Sequence, residues 1–216
     1  MEDVQKPEER NSGNFGGRRG TGRVIFLDRD GTVNEETHYL HRPEEVRLLP
    51  GAAEGIKRWN DSGFQVVVIS NQAGIGRGYY TEKDFWAVNE RLNQLLGEKG
   101  AHIDGFYFCP HHPQAGIGEY RRACRCRKPG IGMFEDAEKT FAVDKAHSYM
   151  IGDKRIDTQA GHNFGLRSVL VATGYGQEEA EQAQKEENQK KDYDFYAASL
   201  EEAADWILRE EYKWNL

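Results

Sequence analysis

The chain has 216 residues, a length that fits one domain burying about 70% of the surface its unfolded form would expose. Its net charge of −7 argues against a general affinity for nucleic acid or anionic membrane, and no apolar run approaches the roughly 18 residues of a membrane span. The polar start Met1-Glu2-Asp3-Val4-Gln5-Lys6 has no apolar core of the secretory kind, so the expectation is a cytoplasmic protein, by default a monomer, whose partners are small molecules and neither nucleic acid nor membrane.

Residues 1–22 contain Asn14-Phe15-Gly16-Gly17-Arg18-Arg19-Gly20 and almost nothing apolar, so burial cannot repay their ordering entropy. They are expected to be a disordered, solvated tail, with residues 23–216 forming a single domain. From there short apolar runs at Val24–Leu27, 66–69, 106–108, 149–151 and 169–172 alternate with helical patterns. Near-continuous apolar runs are strands covered on both faces, hence a parallel sheet. Ala52, Ile56 and Trp59 recur at helical spacing, and Thr81-Glu82-Lys83-Asp84 reads as a helix start before Phe85, Val88, Leu92, Leu95 and Leu96. Residues 177–192 are polar enough for a solvated helix or a linker, and Ser199 is placed to cap a last helix carrying Ala203, Trp206 and Ile207. The fold class is α/β, a doubly wound parallel sheet of the Rossmann-like kind, with ligands expected at the carboxyl ends of the strands.

The first strand ends in Asp28-Arg29-Asp30-Gly31-Thr32, two carboxylates two residues apart before a glycine. Phosphate monoesters hydrolyse so slowly in water that a catalyst needs a nucleophile, charge neutralisation and a protonated leaving group together. Asp28 is the candidate nucleophile and Asp30 the candidate acid/base. A hard cation, Mg²⁺, suits Asp28, the Asp30 backbone carbonyl and Asp153, which follows the strand at 149–151. Ser70 and Asn71 offer donors to phosphoryl oxygens, Lys128 a point charge and Arg127 a bidentate grip. Each feature alone is commonplace; their order along successive strand ends points to a phosphatase. Asp157 is either a carboxylate supporting this site or an ordinary exposed helix residue.

All three cysteines crowd into 109–126: Cys109-Pro110-His111-His112 and Cys124-Arg125-Cys126 supply a Cys₃His set suited to tetrahedral zinc. Four protein ligands close the coordination sphere, so this Zn²⁺ reads as structural, fixing a loop that ends at Arg127-Lys128. His112 is an alternative to His111.

Over residues 23–175 the motifs Asp28-Arg29-Asp30-Gly31-Thr32, Ser70, Lys128 and Gly152-Asp153 resemble those of the haloacid dehalogenase superfamily. The compound Phe108-Cys109-Pro110-His111-His112-Pro113 leading to Cys124-Arg125-Cys126-Arg127-Lys128-Pro129 is similar to the D-glycero-D-manno-heptose 1,7-bisphosphate 7-phosphatases, with support from 70–78 and 150–154. The resemblance implies a capless member, with His111 as the zinc ligand. It implies catalysis by Asp28, Asp30, Ser70 and Lys128, and substrate contacts at Glu36, His38, Tyr39, Asn71, Gln72, Ala73, Arg127 and Lys154. Thr37-His38-Tyr39 stands where the family often has His-Gly-Tyr, and Ser70 and Ala73 where it often has Thr and Ser. The implied activity is removal of the 7-phosphate from a heptose bisphosphate, toward nucleotide-activated heptose and lipopolysaccharide. Histidinol-phosphate phosphatase is the nearest alternative, a catalytically silent zinc-stabilised binding module the alternative of another class. A nucleic-acid 3′-phosphatase fits the acidic balance poorly.

Overall fold

The computed structural model describes residues 12–14, 22–185 and 192–214. The apolar runs form strands β2 (Val24–Leu27), β3 (Gln65–Asn71), β4 (Gly105–Cys109), β5 (Tyr149–Gly152) and β6 (Arg167–Val171), all but their outermost residues buried. Two further strands complete the sheet, β1 (Ser12–Asn14) and β7 (Phe195–Ala197), giving the order β1-β4-β3-β2-β5-β6-β7. Strands β2 to β7 pair in parallel throughout.

The period-2 geometry of a strand sends alternate side chains to opposite faces, and both faces here are covered. Ile25, Leu27, Val66 and Val68 pack with helices α1 (Ala52–Asp61), α3 (Glu82–Gly97) and α7 (Leu200–Trp214). Their neighbours Val24, Phe26, Val67 and Ile69 pack with α4 (Gly132–Glu138) and α5 (Arg155–Phe164). Helix α3 starts where its sequence indicates: Thr81 and Asp84 exchange hydrogen bonds in a capping box. Each of the fully buried Phe85, Val88, Leu92 and Leu96 contributes about 1.5–3 kcal/mol by leaving water. Ser199 Oγ accepts from the Glu202 N–H at the start of α7.

Strand β1 departs from the expected disordered tail, with Ser12 opposite Tyr107 in an antiparallel pair. The free edge of β4 offers backbone donors and acceptors, and pairing with them needs no apolar side chain. Residues 1–11 and 15–21 of that tail lie outside the described residues. In the stretch read as helix or linker, helix α6 spans Gly176–Lys185, and 186–191 are again outside.

Strand β2 is central, and the chain moves from it to β3 and β4 on one side, then to β5, β6 and β7 on the other. Such a switch in winding direction opens a crevice at the carboxyl ends of β2, β3 and β5. Loop 28–51, the short helix α2 (Ala73–Gly76) and loop 110–131 rim that crevice. No second sheet stands over it among the described residues.

Candidate active site and metal centres

The carboxyl ends of β2 and β5, with the loop before α4, bring four ionic side chains into contact. Lys128, 2% exposed, donates from Nζ to Asp28 Oδ1 at 2.8 Å and to the Ile69 carbonyl at 2.9 Å, and pairs with Asp157 Oδ1 at 2.8 Å. All three of its protons are thereby used. Asp157 is buried, which removes the exposed-helix alternative; it sits in the first turn of α5, where its Oδ2 also accepts from the Lys154 N–H. Burial lowers the proton affinity of Lys128, and the carboxylates of Asp157 and Asp28 more than reverse that, holding it charged.

Asp28, Asp153 and Asp157 each point an oxygen to within 4.8 Å of the others. Asp153 is fully buried, its Oδ2 accepting from the Tyr175 N–H while Oδ1 has no hydrogen-bond partner. Burial, then the charges of Asp28 and Asp157, push its carboxyl up to about 8. Asp157 is pushed up to about 6, chiefly by burial. A cluster of oxygens with a bare buried acceptor and too little positive charge fits a hard divalent cation, whose two charges would offset the repulsion. Glycines make the approach to Asp153 possible: a Cβ on Gly31 (φ 81°) would lie 2.3 Å from its Oδ2, and one on Gly174 (φ 55°) 2.2 Å.

Asp30 faces away from this cluster into a set of donors. Its Oδ1 accepts from Arg29 Nε (3.1 Å) and Asn34 Nδ2 (2.9 Å), its Oδ2 from Arg29 Nη2 (2.9 Å) and Gln72 Nε2 (2.9 Å). Burial acts to raise its pKa, but the Arg29 charge and these hydrogen bonds outweigh it and hold the carboxyl below the usual carboxylate range. Ser70, 2% exposed, accepts from Gln72 Nε2 at 2.8 Å. The Asn71 amide spans to the Lys128 backbone, its Oδ1 accepting from N–H at 3.0 Å and its Nδ2 donating to the carbonyl at 3.3 Å, which ties the lysine loop to β3.

Cys109, His111, Cys124 and Cys126 converge, with all ligand atoms within 4.8 Å of one another. Sγ–Sγ separations are 3.0–3.4 Å, and His111 Nδ1 lies 3.6 Å from Cys109 Sγ and 3.4 Å from Cys126 Sγ. Three sulfurs and one imidazole nitrogen are the donor set of a structural zinc site. Cys126 is pushed down to about 5, chiefly by the hydrogen bond it shares with Cys109. The alternative ligand His112 turns elsewhere, its Nδ1 accepting from the N–H groups of Gln114 and Ala115. The cluster touches the crevice directly: the Cys109 carbonyl accepts from the Gln72 N–H, and Cys126 is two residues from Lys128.

The rim carries the remaining predicted residues. Glu36 Oε1 accepts from the His38 N–H, and its Oε2 lies 3.6 Å from Lys154 Nζ, which also sits 4.4 Å from the Tyr175 ring centroid. His38 (φ 51°) and Tyr39 (φ 68°) take the left-handed conformation, unusual for side-chain-bearing residues, and the Tyr39 hydroxyl accepts from Arg77 at 2.7 Å. Arg127 donates to the His111 carbonyl and has no carboxylate partner among the described residues. Ala73 opens α2 and is partly exposed. Motif reading passes over Arg29, Asn34 and Tyr80, which line the Asp30 side; Arg29 is a charge inside a motif named for its aspartates.

A family model described as HAD-hydrolase-like matches residues 125–203. The chain is 42% identical over 154 residues, 70% of its own length and 84% of the other's, to a D-glycero-beta-D-manno-heptose-1,7-bisphosphate 7-phosphatase of Haemophilus ducreyi. It is 41% identical over 154 residues (71% and 84%) to the corresponding alpha enzyme of Photorhabdus laumondii. A crystal structure of the D,D-heptose 1,7-bisphosphate phosphatase from B. bronchiseptica, complexed with magnesium and phosphate, superposes with a TM-score of 0.76 at 31% identity, over 87% of this chain and 99% of that one. The strand-end carboxylates, the buried lysine and the Cys₃His cluster occur on the fold of those enzymes, and the chain belongs to the D-glycero-D-manno-heptose 1,7-bisphosphate 7-phosphatase family of haloacid dehalogenase-like hydrolases.

Proposed function

We propose that this chain hydrolyses the 7-phosphate of D-glycero-D-manno-heptose 1,7-bisphosphate through an aspartyl-phosphate on Asp28, serving nucleotide-activated heptose and surface polysaccharide synthesis. Asp28 attacks phosphorus while Asp30 protonates the departing sugar oxygen; Asp30 then takes a proton from the water that releases phosphate from Asp28. Ser70 donates to a phosphoryl oxygen, and Lys128 neutralises the phosphoryl charge as a buried cation, exchanging one of its three hydrogen bonds for the incoming oxygen. Asp28, Asp153 and the Asp30 carbonyl would hold Mg²⁺, which would supply Lewis-acid charge neutralisation there. The zinc cluster of Cys109, His111, Cys124 and Cys126 holds the loop that presents Arg127 and Lys128.

The observation that carries this reading is the contact of Lys128 Nζ with Asp28 Oδ1 at 2.8 Å, beside the bare Asp153 Oδ1. That arrangement suits a dianion entering between a lysine and a cation. Arg127, Lys154, Glu36, His38, Tyr39 and Ala73 are left for the sugar and its second phosphate, whereas Asn71 is engaged with the Lys128 backbone. Phosphorus NMR of the reaction tests it: the product should keep its sugar 1-phosphate resonance and lose the 7-phosphate, and Asp28→Asn should produce no phosphate. Loss of the 1-phosphate, or turnover by Asp28→Asn, would overturn it.

A further inference from the structure

Gln72 lies next to the phosphoryl-binding strand end, where the family contacts substrate, yet its side chain has no bond left to give. It is 3% exposed and makes four hydrogen bonds, all to protein. Nε2 donates to Asp30 Oδ2 (2.9 Å) and Ser70 Oγ (2.8 Å); Oε1 accepts from Arg29 Nη2 (3.3 Å) and the Tyr80 hydroxyl (2.5 Å). The amide orientation is chemically forced, because a carboxylate only accepts and a guanidinium only donates. It follows that Ser70 Oγ accepts a hydrogen bond from Gln72 and keeps its own O–H to donate elsewhere.

Arg29 completes the arrangement. Its side chain is fully buried, grips both oxygens of Asp30, and is itself held by Asn89 Oδ1 at 3.2 Å and by the Phe85 ring, 5.3 Å from the guanidinium carbon to the ring centroid. An arginine with no exposed surface cannot be steering substrate from solvent. With Asn34, these two residues donate four hydrogen bonds to the Asp30 carboxylate, of which one gives way when Asp30 carries its proton while the others keep its orientation.

We propose that Arg29 and Gln72 are positioning residues that act through Asp30: they fix its carboxylate in one orientation for proton transfer and, through Gln72, align the Ser70 hydroxyl with it. The inference rests on the phosphatase reading above. In the first half-reaction the Asp28 oxygen bonds to phosphorus, the ester P–O bond breaks, and the leaving oxygen takes the proton carried by Asp30. In the second, water bonds to phosphorus, its proton passes to Asp30, and the P–O bond to Asp28 breaks with its electron pair returning to the carboxylate. Only the protonation of the sugar oxygen and the deprotonation of water depend on Asp30.

Burst kinetics with two esters separates positioning from simple structural damage. p-Nitrophenyl phosphate releases a stable phenolate that needs no proton, so its first half-reaction bypasses Asp30 while its second does not. In Gln72→Met, kcat for heptose 1,7-bisphosphate should fall about 10- to 100-fold with KM within about threefold, a general acid/base loss. With the aryl ester, the ratio of burst rate to steady-state rate should rise about tenfold over wild type. Arg29→Lys keeps the buried charge but cannot grip both Asp30 oxygens in a fixed fork, so it should behave the same and decides the matter where Gln72→Met does not fold. An equal fall on both esters with an unchanged ratio, or a rise in KM at constant kcat as for a direct substrate contact, would overturn the proposal. Wild type that cleaves the aryl ester but not the heptose bisphosphate would sink the substrate assignment alone, and the burst ratio would still decide the roles of Arg29 and Gln72.

Discussion

Lys128 Nζ lies 2.8 Å from Asp28 Oδ1 across one hundred residues of sequence, and the same nitrogen lies 2.8 Å from Asp157 Oδ1. One buried ammonium thus serves the carboxylate of the proposed nucleophile, Asp28, and a carboxylate of α5 together. A phosphoryl group entering the crevice meets a lysine whose charge is already oriented and desolvated, the condition under which electrostatic stabilisation is strongest.

Removing that nitrogen strands the carboxylates of Asp28 and Asp157 without their shared cation. Lys128→Met is expected to lower kcat by about 10²–10³. In metal-free buffer it should also cost about 3–5 kcal/mol, the usual penalty for breaking a buried pair. Steady-state kinetics and the urea midpoint measure the two effects separately.

The acidic cluster sets an unusual pH dependence. Asp153 and Asp157 are pushed up to about 8 and about 6, against about 3.9 for an unfolded aspartate. Between those values the folded state binds more protons than the unfolded state, so stability falls as pH rises, opposite in sign to a carboxylate held by a cation. Without metal, Tm at pH 8.5 should lie about 10 °C below that at pH 6, since a carboxyl protonated only when folded loses about 1.4 kcal/mol per pH unit up to its folded value, about 3 kcal/mol over this range. Millimolar Mg²⁺ should raise Tm more at pH 8.5 than at pH 6, because it binds the folded, ionised site. Calorimetry at both pH values checks the sign.

Gly31 has φ 81° and no room for a Cβ beside Asp153 Oδ2. Gly31→Ala carries about 1–2 kcal/mol of left-handed strain and displaces Asp153, a carboxylate of the proposed Mg²⁺ site. Mg²⁺ affinity, read by titration of activity, should drop at least about tenfold, the scale on which disturbed ligand orientation acts.

The Cys₃His cluster predicts one zinc per chain, and Cys126→Ser should lose it. Because Cys126 stands two residues from Lys128, the loss should lower both Tm and kcat. Metal analysis by atomic emission alongside thermal melts makes the comparison.

The legible parts of this molecule are those whose physics is local. Strands β2 to β6 are apolar without interruption because helices cover both faces, so Val24–Leu27 and the runs that follow stand out from polar surroundings. Phe195–Ala197 escapes notice because an edge strand of three residues, one of them exposed, has no such run. Ser12–Asn14 escapes for a different reason: backbone pairing to β4 leaves no trace in side-chain composition. The three cysteines of the Cys₃His cluster are readable from residue type and spacing, whereas the choice of His111 over His112 is not, since both follow Cys109 within three residues. Asp157 is ambiguous in sequence because a first-turn aspartate after Gly152-Asp153 looks the same whether it faces solvent or Lys128. Gln72 illustrates the limit most sharply, since adjacency to Ser70 and Asn71 suggests a ligand contact, and only the placement of Arg29 and Tyr80 shows that its bonds are already taken.

The most direct test of the heptose phosphatase assignment is kcat/KM, with Mg²⁺ present, for the α and β anomers of heptose 1,7-bisphosphate against histidinol phosphate. A preference of at least about a hundredfold, about 2.7 kcal/mol of transition-state discrimination, is expected for one heptose anomer. Equal or better turnover of histidinol phosphate would contradict the assignment.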